Sequence, residues 1–130
     1  MSFLQPLPPI TVGNADYDRL MAIAETWRSR RPDVAEMLMS ELSRAELRPQ
    51  GGLDPRVVAM HSRVLFGYSH SRDTQAVTLV YPNEADIAAG RISIATPVGT
   101  ALLGLHEGGS IGWLTHSGVE RRITLHKVLN

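Results

Sequence analysis

The groups with which this chain could do chemistry are five histidines and thirteen carboxylates; there is no cysteine. His61, His70, His106, His116 and His126 lie in separate segments, and no two have the i,i+4 spacing of an HExxH helix. Without thiolates, and with few carboxylates beside the histidines, the chain presents no metal-ligand set. "GLHEGGS" (Gly104 to Ser110) is glycine-rich but lacks the GxxxxGK[ST] arrangement that cradles phosphates, and it reads as a turn. Ser62 follows His61, yet neighbours in an extended segment point to opposite faces, so the two cannot form a nucleophile–base pair. The expectation is no catalytic residue, no metal and no cofactor.

Two other groupings suit recognition. Arg28, Arg30 and Arg31 crowd the stretch Trp27 to Asp33, which holds one acid. Magnesium needs several anionic oxygens, so this stretch cannot bind it. Its guanidinium groups suit phosphates or an acidic protein surface instead. The second grouping is Thr96-Pro97-Val98-Gly99. Pro97 has the fixed φ of a first helical position and Thr96 can cap it, so a short helix should start there with its opening turn exposed to a partner. Val98, Ala101, Leu102 and Leu105 give that helix an apolar face.

These groups need elements to position them. Tyr17, Leu20, Met21, Ala24 and Trp27 recur at helical spacing after Asn14 and Asp16, which are suitable caps. A second stripe runs through Val34, Met37, Leu38, Leu42 and Ala45 and should end near Leu47; Pro32 suits the connecting loop, and Asp33 with Glu36 has capping-box spacing. Glu41 and Arg44 read as an i,i+3 pair on the outer side. Two helices of about 14 residues, each about 20 Å long, make an antiparallel hairpin whose narrow stripes allow it to project from a body. Arg48 to Pro55, "RPQGGLDP", is the linker. Beyond it the pattern turns to strands: Val57 to Tyr68, Thr74 to Pro82, "RISIA", "SIGWLT" and "VERRITLHKVL". The fold class is α+β, divided into residues 1–52 (a Pro-rich start, with "PITV" extended, and the hairpin) and 53–130 (an antiparallel sheet with one short helix).

Composition bounds the rest. The net charge is zero, so the chain has no global attraction for nucleic acid. No apolar run approaches the ~20 residues of a membrane span, and the proline-broken start "MSFLQPLPPI" is no signal peptide. A cytoplasmic protein is expected.

"TLVYP" (Thr78 to Pro82), "ISIATPVGTALLGL" (Ile92 to Leu105), the following "EGGSIGW" and the terminal "RITLHKV" together resemble the Gre-type transcription factors, most of all their Rnk-like subgroup (regulator of nucleoside diphosphate kinase). "VVAMHSRVLF" (Val57 to Phe66) is similar to the first strand of the same domain. The resemblance implies an FKBP-like C-terminal domain behind an antiparallel coiled coil, with RNA polymerase as partner. Gre factors grip the rim of the polymerase secondary channel with a Ser/Thr-Pro turn, matched here by Thr96 and Pro97, with Val98 and Gly99 adjoining. They carry two tip acids that recruit Mg²⁺ for transcript cleavage. This chain departs from that pattern: its arms are shorter, the acid pair is absent, and Ala95 replaces a polar or acidic residue. The resemblance therefore implies docking without cleavage, in competition with other secondary-channel factors. An FKBP-like prolyl isomerase would need an aromatic-lined pocket, for which Phe66, Tyr68, Tyr81 and Trp113 lie in the right domain. Direct regulation of nucleoside diphosphate kinase, and non-specific nucleic-acid binding through the arginines, are further alternatives.

Overall fold

The computed structural model describes residues 2–129. Alternation of apolar and polar residues sets its main sheet. In β4 (Arg63–Tyr68) Val64 and Phe66 point into the core. In β8 (Glu120–Val128) Ile123, Leu125 and Val128 do so, although the last step is three residues rather than two. A bulge explains the step. Leu65 faces Lys127 and Phe66 faces Leu125, so His126 is the extra residue, and the alternation resumes in phase with the core.

β5 (Thr74–Val80) and β7 (Ser110–Leu114) flank this pair, and β6 (Arg91–Ser93) lies parallel to β5. β1 (Ser2–Phe3) adds an edge strand beside β7, giving the order β1-β7-β8-β4-β5-β6, antiparallel except for β5 with β6. β2 (Thr11–Gly13) pairs in parallel with β3 (Glu46–Arg48) in a separate ribbon. The class is a mixed α+β fold with a curled, antiparallel-rich sheet and, among the described residues, three α-helices: α1 (Asn14–Trp27), α2 (Pro32–Arg44) and α3 (Pro97–Leu102).

Several local expectations give way to long-range contacts. The first strand of the second region begins at Arg63 rather than Val57, because His61 has a left-handed backbone (φ 70°) that no strand accommodates. α2 ends at Arg44, not Leu47, because Glu46 to Arg48 pair with Thr11 to Gly13. Gly13 stands at the N-cap of α1, and Gln50 Oε1 accepts from the Asp16 amide. The Asp16 carboxylate faces away, accepting from the Met60 amide and the Tyr81 hydroxyl, both at 3.4 Å. Pro32 is the first residue of α2 rather than part of the loop, and no side chain caps that helix.

The two helices do not project. Leu20 and Ala24 of α1, with Leu38 and Leu42 of α2, join Phe66, Ile111, Ile123 and Leu125 of the sheet in one apolar cluster. Glu41 is the larger correction, for it is completely buried. Arg44 donates to both of its carboxylate oxygens, at 3.0 and 2.7 Å, and to the Pro8 carbonyl. The segment before β2 therefore covers the side of α2 that the short stripe leaves polar.

Candidate functional site

The Thr96–Pro97 corner is held by a dense set of local bonds. Thr96 caps α3: its Oγ1 accepts from the Gly99 amide at 3.1 Å and donates to the Ser93 carbonyl at 2.7 Å. Pro97 occupies the first helical position, where its missing N–H costs nothing. Ser93 Oγ accepts from the Ala95 amide, and the buried Thr100 hydroxyl donates to the Ile94 carbonyl at 2.8 Å. Thr96, Pro97 and Val98 are half-buried, so part of each faces solvent, whereas Gly99 is buried. A Cβ at Gly99 would stand 2.1 Å from the Ser93 carbonyl oxygen, so only glycine fits. Of the four residues singled out here in the sequence, three form the surface and the fourth shapes it.

Two concavities flank the corner. One, of about 420 Å³, is bounded by Pro97 and Val98 on one side, by Tyr68 and Trp113 on the sheet, and by His70, Thr115 and Arg121 at the rim. The other, of about 600 Å³, lies toward Gln75, Val77, Ile87 and Arg91, and Ile87 is 91% exposed beside it. Sequence reasoning did not find the first groove. Its walls come from four strands and a helix start, and no local spacing brings them together.

The arginine stretch between α1 and α2 is a second exposed surface. Arg28 lies 3.5 Å from Glu25 and donates to Met39 Sδ, while Arg31 lies 3.5 Å from Asp33. Arg30 is exposed and has no ion pair among the described residues. Asp33, expected to cap α2, instead accepts from His116 Nε2 at 3.0 Å, in the turn after β7. That turn thus borders both candidate surfaces, since Thr115 lines the groove and His116 holds Asp33. The other histidines have separate roles. His61 contacts Glu84 at 2.8 Å, His106 contacts Thr11 at 3.1 Å, and His70 lies against Tyr68.

The His116 bond is the leading reason the Asp33 carboxyl sits at about 2, below the usual 3.8, with Arg31 adding to it. A depressed carboxylate contributes stability that is present above its unfolded value and lost as pH falls from about 4 to about 2. In His116→Ala the Asp33 carboxyl should therefore titrate closer to 3.8, and acid unfolding should begin at higher pH. The Asp33 carboxyl carbon shift, followed against pH by NMR, reads this directly.

Comparison with known proteins places these features in context. Residues 53–130 match the family model "Transcription elongation factor, GreA/GreB, C-term", and residues 8–47 match "Rnk N-terminus". The "Regulator of nucleoside diphosphate kinase" of Escherichia coli (strain K12) is 34% identical over 112 residues, 86% of this chain and 82% of that protein. The "Transcription elongation factor GreA" of Nitratidesulfovibrio vulgaris is 30% identical, covering 78% of this chain and 84% of that one. Among solved structures, the "Prokaryotic transcription elongation factor GreA/GreB from Nitrosomonas europaea" superposes with a TM-score of 0.74 at 36% identity, over 93% of this chain and 99% of that one.

Proposed function

This chain belongs to the GreA/GreB family of transcription elongation factors, in its Rnk-like group, and on that premise we propose that it is an RNA polymerase-binding regulator that does not stimulate transcript cleavage. In this reading α1 and α2 are a shortened antiparallel coiled-coil hairpin (residues 1–52), and the sheet with α3 is an FKBP-like docking domain (residues 53–130). Thr96, Pro97 and Val98 touch the polymerase near its secondary channel, and Gly99 fixes their shape. The protein acts in the cytoplasm, alongside the polymerase, and competes there with other secondary-channel factors.

The observation that carries the reading is the pairing of a rigid corner with a blunt tip. The corner is capped, proline-led and partly exposed, so little conformational entropy is lost when a partner binds it. The tip offers Asp33 alone, and that carboxylate is already bonded to His116 and Arg31. A cleavage centre needs a pair of free acids for magnesium. Arg28, Arg30 and Arg31 instead present positive charge to whatever lines the channel entrance.

Co-purification with core polymerase tests this. Wild-type protein should bind and be displaced by a cleavage-competent Gre factor, and it should leave nascent RNA intact in stalled complexes. Pro97→Asn should keep the fold, because asparagine is tolerated in a first helical turn. It should nevertheless weaken polymerase binding by roughly tenfold, about 1.4 kcal/mol. Wild-type affinity in that variant, or RNA cleavage by the native protein, would sink the proposal.

A further inference from the structure

The groove beside the docking corner has an unusual charge arrangement. Its floor and walls are apolar, from Tyr68, Trp113, Pro97 and Val98, while its rim carries Arg121 and His70. None of the residues lining it is a carboxylate. Arg121 lies directly across from Trp113 in the β7–β8 ladder, so the two share a face of the sheet. Its strand neighbours Glu120 and Arg122 point to the opposite face, where they lie 4.0 Å from each other. Arg121 is exposed and has no ion pair among the described residues. An exposed guanidinium at the edge of an apolar trough whose lining holds no acid is free to take a carboxylate from elsewhere.

We propose that this groove receives an extended, acidic segment of the partner protein, one that lays an aliphatic or proline side chain between Tyr68 and Val98 and sets a carboxylate against Arg121. The trough suits such a side chain because half-buried Tyr68, with Pro97 and Val98, offers rigid apolar surface at low entropic cost, backed by the buried Trp113. Arg121 suits a carboxylate because its planar fork can bond both oxygens. The inference rests on the docking reading, since the groove shares Pro97 and Val98 with the corner. It adds the chemistry of what the corner meets.

The test has two arms. In the first, polymerase binding is measured for wild type, Arg121→Glu and Lys127→Glu. Lys127 is exposed on the same strand but outside the groove, so it controls for net charge. Arg121→Glu should weaken binding by roughly tenfold, mostly through association rate, and flatten its salt dependence; Lys127→Glu should not. In the second, the peptide acetyl-Glu-Leu-Pro-Glu-amide is titrated by NMR against the full chain, beside its glutamine analogue. The acidic peptide should shift Tyr68, Trp113 and Arg121 resonances, and the neutral one should do so at least fivefold more weakly.

If Arg121→Glu binds polymerase as well as wild type does, or the two peptides bind alike, the groove proposal is overturned while the docking reading stands. If the acidic peptide binds through Arg121 but no polymerase is captured, the groove chemistry is supported and the choice of partner fails.

Discussion

Gly99→Ala should lower the melting temperature by about 10 °C, the mark of a loss near 3 kcal/mol in a domain of this size. The added Cβ would sit 2.1 Å from the Ser93 carbonyl oxygen, 2.9 Å from its carbon and 3.0 Å from Thr96 Oγ1. Two of these atoms are backbone, and the third is the hydroxyl that bonds both the Ser93 carbonyl and the Gly99 amide. None can swing aside as the end of a flexible side chain does. To make room, the turn must open, which breaks the cap and lifts Pro97 away from β6. The variant should therefore lose polymerase binding even at temperatures where its sheet remains folded. Thermal unfolding by circular dichroism gives the first effect and co-purification at low temperature the second. A melt within about 2 °C of wild type would mean that Ser93 and Gly99 are not packed as described.

Glu41→Ala should cost about 3 kcal/mol in chemical denaturation. The carboxylate is fully buried, and both of its oxygens are bonded by Arg44, whose side chain is 20% exposed. Alanine leaves a cavity and strips Arg44 of its counter-charge. The partial exposure of Arg44 lets water reach it, which keeps the loss at the low end for a broken buried pair. Glu41→Gln should cost less, because it preserves shape and can still accept one bond. Its pH dependence has a definite sign. Burial pushes the Glu41 carboxyl above its usual 4.5, outweighing the downward pull of Arg44. A carboxyl raised in the folded state loses stabilising effect as pH rises past the unfolded value. The deficit of the glutamine variant relative to wild type should thus be smaller at neutral pH than at pH 4. A deficit that grows toward neutrality would show instead that Arg44 dominates.

The features legible in the sequence were those decided over a few residues. Thr96 as cap and Pro97 as the first helical residue each depend on local backbone preference alone. β5, β7 and β8 showed themselves through β-branched residues and alternation. What escaped was set by distant partners. β1 and β3 are strands of two and three residues that exist only because β7 and β2 lie beside them. Asp33 gave up a capping role to a histidine 83 positions away. Glu41 is the instructive case. It follows Met37 by four and Leu38 by three, so the helical period itself places it on the buried face. Its charge argued for the surface, and the argument failed because Arg44, itself anchored on the Pro8 carbonyl, bonds both of its oxygens. The groove was beyond local reading, since Tyr68, Trp113 and Arg121 belong to three strands and only their register makes them neighbours.

The bond from His116 to Asp33, with the contacts of Asp16 to Tyr81 and Met60 at the other end of α1, pins the helix pair to the sheet at two separated points. A lever fastened twice cannot swivel. On the docking reading proposed above, a partner that clasped the proline corner would also set the bearing of Arg28, Arg30 and Arg31, as the angle of a key's bow fixes where its bit turns. The three arginines and the corner are thus carried as one piece, in a fixed relation to each other.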